Sequence, residues 1–380
     1  MLRFLTAGES HGKALNAIIE GLPAGLKLNW QRINDFLGRR QAGYGRGTRM
    51  QLERDQLEII SGVRNSVTLG TPVSLLIKNQ DAENWQDVLA VKKADLSKKR
   101  LLKPRPGHAD FAGGIKYRHR DLRNVLERAS ARETAVRTAV GAIAFELLAE
   151  LGFKIQGQVM SIGSIQANPP EKIVPSDMLR ENPLFCTDQE AVEVMLGEIK
   201  LAEKAGDSLG GTFQVLAENV PPGLGSHVHW DRRLDGRLAQ ALMSIPGIKS
   251  VEIGLGRASA DLPGSQVHDS LFYQPKKGYY RLSNHAGGLE GGITNGERLV
   301  VRAAMKPIPT LRKPLETIHW ETKKPVGASV ERSDVCAVPA AMVVAEAMVA
   351  WVLAEAVLEK FAGDHLDELK TNFKNYCAEI

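Results

Sequence analysis

The sequence predicts an α+β fold, an internally duplicated pseudo-twofold body of antiparallel sheets packed with long helices. Three observations support this prediction. Short motifs recur in the same order about 200 residues apart, strand-like segments come in pairs joined by Pro-Gly turns, and a long apolar helix closes each half. No Gly-x-Gly-x-x-Gly motif follows a strand, which disfavours a doubly wound dinucleotide-binding sheet.

The duplication begins with Glu20-Gly-Leu-Pro-Ala-Gly-Leu26, which returns as Glu218-Asn-Val-Pro-Pro-Gly-Leu224. A strand-like run, 15–19 or 213–217, precedes each copy. Four later matches follow in the same order. Glu58-Ile59 and Gly62 correspond to Glu252-Ile253 and Gly256, and Lys103–Pro106 corresponds to Lys306–Pro309. Arg128 corresponds to Arg332, and the helix end at 147–150 corresponds to the helix end at 352–355. We therefore expect two related halves, at about 1–155 and 205–362, within one domain spanning 1–380.

The segment between the halves, about 157–210, is predicted to be a peripheral insertion. It contains a polar stretch with Asn168-Pro-Pro170, followed by a charged helix from about Asp188 to Lys204. Neither part carries a recognisable chemical motif, so we assign it no role in catalysis.

The composition is that of a globular protein, and the charge favours an anionic partner. The 380 residues are 43% hydrophobic and carry a formal charge of +5, with an isoelectric point near 9.0. Nucleic acid, an anionic membrane surface or a phosphorylated metabolite would each satisfy this charge. The three cysteines show no CxxC spacing, which predicts neither a disulfide framework nor a zinc site. The first residues become charged too early for a secretory segment, so we expect a cytoplasmic protein.

One apolar stretch, Val338 to Leu358, resembles a membrane span in composition. Glu346 and Glu355 interrupt it, and two carboxylates on one span would be costly in hydrocarbon. We therefore predict a buried core helix that turns both carboxylates toward polar partners.

Arginine distribution is the most informative chemical feature. Arg39, Arg40, Arg46 and Arg49 occupy one glycine-rich segment, 38–49. Glycine lets backbone N–H groups approach an anion, and guanidinium groups bind phosphate or carboxylate through two parallel hydrogen bonds. A solvated surface loop would have the same composition, so this segment alone leaves both interpretations open.

A second arginine cluster stands at a predicted helix start. Ser130 and Glu133 fit a capping box, and Arg128 and Arg132 flank the positive end of the following helix, where an anion would bind. Capping explains the serine and the glutamate but not the arginines. The related segment Arg332-Ser-Asp-Val335 precedes Pro339 in the later copy, where Asp334 either pairs with an arginine or takes part in catalysis.

Two of the nine histidines lie in tight glycine turns beside polar residues, His11 in 8–12 and His108 in 105–110. Histidine transfers protons near neutral pH, although a structural histidine is the commoner explanation of either one taken singly. His227 and His229 alternate as metal ligands can, but no third ligand is evident nearby, and we predict no metal site.

Five motifs together carry a resemblance to a known family. They are GESHG at 8–12, RPGHAD at 105–110, ERASARETA at 127–135, NHAGG at 284–288 and RSDV at 332–335. In this order and spacing they resemble the chorismate synthase family over about residues 1–360. The resemblance implies a β-α-β sandwich and an anti-1,4-elimination of phosphate from 5-enolpyruvylshikimate 3-phosphate. It also implies dependence on reduced FMN without net redox change.

The resemblance also assigns residues to roles. His11 would be the acid toward the departing phosphate, His108 the proton donor to the flavin, and Asp334 an assistant near the flavin. The implied substrate-binding residues are Ser10, Arg40, Arg46, Arg49, Arg105, Arg132 and Arg332. The implied flavin-binding residues are Arg128, Ala129, Ser130, Pro246, Gly247, Gly291, Lys306, Pro307, Ile308, Pro309, Thr310 and Arg332. Pro246-Gly247 departs from the Asn-Ala often found in the family, which leaves a backbone contact but puts a side-chain contact in doubt.

Members of the family are usually homotetramers, and we expect the same here. No nicotinamide-binding segment or reductase extension is recognisable, so we expect an external flavin reductant and leave NADPH binding open. A nucleic-acid-binding protein is disfavoured because only 6% of residues are aromatic and the basic residues stand beside helix ends. A flavin-independent phosphate lyase remains an alternative that dependence on reduced FMN would exclude.

Overall fold

A four-stranded antiparallel sheet forms from the N-terminal part of the chain. The computed structural model describes residues 1–46, 54–170, 172–276, 278–331 and 334–380. The strands are β1 (Arg3–Gly8), β2 (Ala14–Glu20), β3 (Glu58–Ser61) and β6 (Val73–Lys78), with a small hairpin of β4 (Val63–Arg64) and β5 (Val67–Thr68) between the last two. Their order in the sheet is β1-β2-β6-β3. Alternate residues of β2 are buried, as expected for a sheet with one face on the core.

A second, five-stranded antiparallel sheet forms from the later part of the chain. Its strands are β7 (Lys154–Ile162), β8 (Ile165–Gln166), β9 (Gly211–Glu218), β10 (Ile248–Ile253) and β15 (Leu299–Met305), arranged β10-β15-β9-β7-β8. Three further hairpins are β11 (Leu271–Gln274) with β12 (Gly278–Arg281), β13 (Leu289–Glu290) with β14 (Ile293–Thr294), and β16 (Glu316–Ile318) with β17 (Pro325–Gly327).

The helices are α1 (Trp30–Gln41), α2 (Asp110–Lys116), α3 (Arg123–Ala129), α4 (Thr134–Ala149), α5 (Ser176–Arg180), α6 (Gln189–Ala205), α7 (Leu234–Met243), α8 (Gly264–Val267), α9 (Val338–Phe361) and α10 (Leu366–Glu379). The first sheet packs against α4 and the second against α9, and these two helices pack against each other. The predicted α+β class is therefore confirmed.

Small residues allow α4 and α9 to approach closely. A Cβ on Gly141 would overlap the Ala347 carbonyl, so an alanine here would force the helices apart. Helix α9 is long and apolar enough to cross a membrane, but 89% of its most apolar window is buried inside the protein. The prediction of a core helix is confirmed.

Both carboxylates within the apolar stretch of α9 have basic partners. Glu346 pairs with Arg39 at 2.8 Å and accepts a hydrogen bond from the Gly157 amide, and Glu355 pairs with Arg237 at 3.3 Å. Burial raises the pKa of Glu355 despite the nearby arginine. These ion pairs explain how Glu346 and Glu355 are accommodated in the apolar stretch of the helix.

Two local predictions are wrong. The predicted capping box does not form, because the Ser130 N–H already donates to the Leu126 carbonyl at the end of α3, and Glu133 pairs with Arg137 instead. The predicted start of the peripheral insertion at residue 157 falls inside β7, a strand that pairs with β9 along most of its length. The charged helix within that segment is α6, close to its predicted bounds.

Candidate active site

A cavity of about 970 Å³ opens between the N-terminal ends of α4 and α9. Loops from both halves of the chain line it, among them residues 105–109 and 305–310. Its volume lies in the range of about 300–1,000 Å³ that is usual for pockets binding small molecules and cofactors. Of the predicted site residues, the cavity gathers Ser10, His11, Arg40, Arg46, Arg105, His108, Ala129, Ser130, Arg132, Pro246, Gly247, Lys306, Pro307, Ile308, Pro309, Thr310 and Asp334.

His11 is held by a buried carboxylate at one end of the cavity. Its backbone N–H donates to Oε2 of Glu127, and its Nδ1 lies 2.8 Å from Oε1 of the same residue. The Glu127 side chain is only 2% exposed. A carboxylate accepts, so Nδ1 carries the proton in this contact. Beside them, the Ser10 hydroxyl donates to Ser130 at 3.1 Å.

Trp85 covers one face of the His11 ring. The two rings stack with their centroids 4.0 Å apart. Lys99 Nζ lies 3.8 Å and the Arg123 guanidinium carbon 5.0 Å from the Trp85 centroid. Arg123 also forms an ion pair with Glu331 at 3.0 Å. It therefore connects Trp85, which covers His11, to a residue near Asp334 in the sequence.

His108 has its own buried carboxylate, Asp110, with its Nδ1 2.6 Å from Oδ1. Arg105 forms a two-pronged contact with the same carboxylate, from Nε to Oδ2 at 2.8 Å and from NH2 to Oδ1 at 2.9 Å. Burial alone would raise the pKa of Asp110, but the hydrogen bonds from His108 and Arg105 and their charge hold that pKa well below its usual range. Asp110 therefore stays ionised and fixes both neighbours.

Asp55 sits between two buried arginines. It accepts from Arg40 at 2.6 Å and from Arg132 at 2.5 Å. Burial opposes ionisation of Asp55, yet the two guanidinium groups lower its pKa below the ordinary value. Two arginines and one carboxylate leave a net positive charge at the cavity wall, which suits an anionic ligand.

Arg46 and Asp334 both line the cavity and form an ion pair, with NH1 2.6 Å from Oδ2. Among the residues that the structure describes, Arg46 Nε is buried and has no hydrogen-bond partner. Two further predicted residues, Arg49 and Arg332, lie outside the described residues.

Part of the cavity lining is apolar. Pro246, Met305, Ile308 and Pro309 form it together with small residues at the start of α9. At its edge, Lys306 donates to the Gly107 carbonyl at 2.5 Å. Burial and the neighbouring Lys249 lower the pKa of Lys306. A flat, apolar surface with cationic groups at its edge is a suitable site for an aromatic ring that bears a phosphate.

Two predicted residues do not line the cavity. The Arg128 guanidinium is turned outward and donates to Thr6, at 2.7 Å to the hydroxyl and 3.0 Å to the carbonyl. Gly291 lies in the turn between β13 and β14, where it has a φ of +60°. Any contact that these two residues make with a cofactor stays a prediction.

Sequence reasoning assigned no role to Glu127, Asp110, Asp55 or Trp85. Glu127 and Asp110 stand within the ERASARETA and RPGHAD motifs, so those motifs already contained the signal. Asp55 and Trp85 belong to no motif, and nothing local in the sequence indicates that they reach the site.

Comparison with known proteins now identifies the family. The family model described as chorismate synthase matches residues 2–358. The chain belongs to the chorismate synthase family. The chorismate synthase of Moorella thermoacetica is 56% identical to it, and the match covers 100% of both chains. The chorismate synthase of Desulforamulus reducens is also 56% identical, and the match covers 99% of this chain and 98% of the relative.

A solved structure titled as the crystal structure of chorismate synthase is also similar. It superimposes with a TM-score of 0.80 at 46% identity, covering 100% of this chain and 98% of the other. Chorismate synthases are carbon–oxygen lyases of aromatic amino acid biosynthesis, and this chain is a lyase of that family.

Proposed function

We propose that this chain removes phosphate from 5-enolpyruvylshikimate 3-phosphate by anti-1,4-elimination, giving chorismate, with reduced FMN in the same cavity and no net redox change. The observation that carries the proposal is one cavity whose lining combines two chemical characters. Its polar part, the polar wall, contains two histidines paired with carboxylates and several arginines, and its apolar part, the apolar wall, lies beside lysines.

The polar wall matches the charges of the substrate. Phosphate and carboxylate groups bind best to guanidinium groups that offer two parallel N–H donors. Arg40 and Arg132 are held in fixed orientations by Asp55, and Arg105 by Asp110. Since these side chains are already ordered, they bind an anion with little further loss of side-chain entropy.

His11 is positioned to assist the departing phosphate. As the bond between C3 and the phosphate oxygen breaks, negative charge grows on that oxygen. A proton held on the His11 ring would neutralise this charge, and the Glu127 carboxylate fixes the orientation of that ring. The C6 hydrogen would leave as a proton to a basic group on the flavin side of the cavity. In net terms the C6–H electron pair then forms the second ring double bond, while the C3–O electron pair leaves with the phosphate.

The apolar wall fits a flavin. The prolines, Met305 and the small residues at the start of α9 offer a flat surface for the ring system, and Lys306, Thr310 and Ser130 offer donors for a phosphate. When bound, reduced FMN supplies an electron transiently to the allylic system and recovers it afterwards. His108, fixed by Asp110, would hold a proton for the flavin, and Asp334 would assist beside it.

An anaerobic assay tests the proposal. Purified protein should convert the enolpyruvyl substrate to chorismate only with reduced FMN, and the flavin should stay reduced after many turnovers. Equal turnover with oxidised FMN in the strict absence of reductant would reject the mechanism in favour of a flavin-independent phosphate lyase. Turnover without added reductase, once the flavin is chemically reduced, would agree with an external source of reduced FMN.

We further propose that the chain is internally duplicated, with a pseudo-twofold relation between its halves. The strand orders β1-β2-β6-β3 and β7-β9-β15-β10 correspond, and α4 and α9 follow them in turn. This correspondence favours Lys154, the first residue of β7, as the start of the later half, with an insertion after β8. The motif matches described above support the same pairing.

A cytoplasmic homotetramer is proposed on the basis of exposed apolar surface. Leu5 and Ile18 are partners in the register of β1 and β2, and both are exposed on the outer face of the first sheet. The hairpin of β11 and β12 exposes Leu271, Tyr273 and Tyr279. Exposed apolar side chains of this kind favour contacts between subunits, and light scattering on the purified protein would give the number of chains.

A further inference from the structure

A strongly basic part of the chain borders the cavity. Residues 92–123, which we call the basic lobe, contain eleven Lys and Arg against three Asp, a net formal charge of +8. The whole chain carries only +5. Residues 80–123, which also contain the carboxylates of Asp81, Glu83 and Asp87, have a net formal charge of +5. This equals the charge of the whole chain, so the remaining residues have no net positive charge.

The tertiary structure places part of the basic lobe at the cavity. Lys99, Arg105 and His108 line the cavity. A small apolar cluster, separate from the main core, packs Leu101, Leu122 and Leu126 against Trp320. This cluster fixes the basic lobe to the cavity wall, since Leu126 itself lines the cavity.

Most of the exposed charge is not neutralised by ion pairs. The inner cations do pair, Arg100 with Glu321, Arg105 with Asp110 and Arg123 with Glu331. Within the described ranges, the exposed cations without an ion pair are Lys92, Lys93, Lys99, Lys103, Lys116, Arg118 and Arg120. Their field therefore extends into solvent at the side of the cavity.

We propose that the basic lobe is an electrostatic capture surface that draws the anionic substrate toward the cavity, an inference that rests on the proposed function. A phosphate and two carboxylates respond to this field before any contact is made. Fields of one sign around a cleft raise association rates by about 10- to 10³-fold, and salt suppresses the effect. The Debye length falls from about 30 Å at 0.01 M salt to about 3 Å at 1 M.

Lys92 and Lys93 offer a test that leaves the cavity wall intact. They lie on the loop between Trp85 and Lys99, two residues that both line the cavity. A backbone hydrogen bond from Asp95 to the Asp87 carbonyl, at 2.7 Å, closes the base of this loop. Both lysines are exposed and neither lines the cavity.

The experiment compares Lys92→Gln/Lys93→Gln with the matched control Lys154→Gln/Lys374→Gln. The control lysines are exposed near α10, which packs at the Phe361 end of α9, whereas the cavity touches α9 only up to Val344. At 1.5 Å per residue these two points on α9 lie about 25 Å apart. Steady-state kinetics with reduced FMN would be measured from about 0.01 M to about 1 M KCl.

At low salt we expect kcat/KM of the Lys92/Lys93 variant to fall about threefold with kcat unchanged, and the difference to vanish near 1 M. The control pair should follow the wild type throughout. Three results would overturn the proposal. The Lys92/Lys93 variant could have the same kcat/KM as the wild type at low salt, the control pair could show the same fall in kcat/KM, or the lower kcat/KM of the variant could persist at high salt. If no protein forms chorismate, the proposed function fails instead, and equilibrium dialysis of the substrate over the same salt range still tests the basic lobe.

Discussion

His11 and Glu127 form a two-point contact across 116 residues of sequence, with both the backbone N–H and Nδ1 of the histidine 2.8 Å from the carboxylate. Both partners are buried. The contact sets the orientation of the ring and the nitrogen that carries its proton, so the acid assigned to the departing phosphate depends on a residue that need not touch the substrate. Glu127 is thus a positioning residue.

Glu127→Gln should lower kcat by about 10- to 100-fold with little change in KM. A glutamine has one acceptor oxygen for the two donors of His11, and its amide N–H would favour the other tautomer of the ring. Steady-state kinetics and the pH profile of kcat would be compared with those of Glu133→Gln, which loses a pair with Arg137 but does not line the cavity. An unchanged kcat in Glu127→Gln would remove this positioning role.

His11→Ala and His108→Ala should each lower kcat by about tenfold or more while substrate affinity changes much less. Only His108→Ala should alter the spectrum or pH behaviour of bound reduced FMN, because only His108 is assigned to the flavin. His229→Ala is a matched control, since His229 and Asp231 have the same spacing and the same 2.6 Å contact but are exposed. Near-normal kcat in both variants would leave the arginines alone to stabilise the leaving group.

Asp55→Asn should lower the free energy of unfolding at pH 7 by about 3–5 kcal/mol, because it leaves two buried guanidinium groups without their shared carboxylate. The folded-state pKa of Asp55 lies below its ordinary value of 3.8. Its stabilising contribution is therefore complete well above pH 4 and is lost as the pH falls through the folded-state pKa.

Urea denaturation would be measured at pH 7 and near pH 3. The difference in the free energy of unfolding between the wild type and Asp55→Asn should be smaller at the lower pH. Asp35→Asn, which loses a surface pair with Arg180, should cost about 1 kcal/mol or less. A gap that does not change with pH would mean that the charge of Asp55 contributes nothing to stability.

Arg46→Lys should raise KM about tenfold although the positive charge is kept, because an ammonium group cannot reproduce two parallel N–H donors. The contact with Asp334 at 2.6 Å would also be lost or lengthened. Arg180→Lys provides a comparison in which an arginine paired at the surface is changed in the same way. A KM equal to that of the wild type would place Arg46 outside the substrate site.

Much of the fold and part of the site follow from local sequence signals. Strand alternation, the Pro-Gly turns and the apolar runs predict the α+β class and the core helix. The same signals misplace a boundary, because β7 begins before residue 157 and pairs with β9, a strand some 60 residues later. The capping box failed because the Ser130 N–H was already used by the preceding helix, which the motif itself does not reveal.

The sequence by itself determined which residue types this protein has for its chemistry: arginines at two helix-flanking segments, histidines in glycine turns, and motifs shared with a lyase family. Only the tertiary structure decided which of these groups meet. Asp55 reaches Arg132 across 77 residues, and Trp85 covers His11. Turns and helix starts depend on the torsion angles of a few neighbouring residues, whereas such contacts depend on how sheets and helices pack, so no local pattern encodes them.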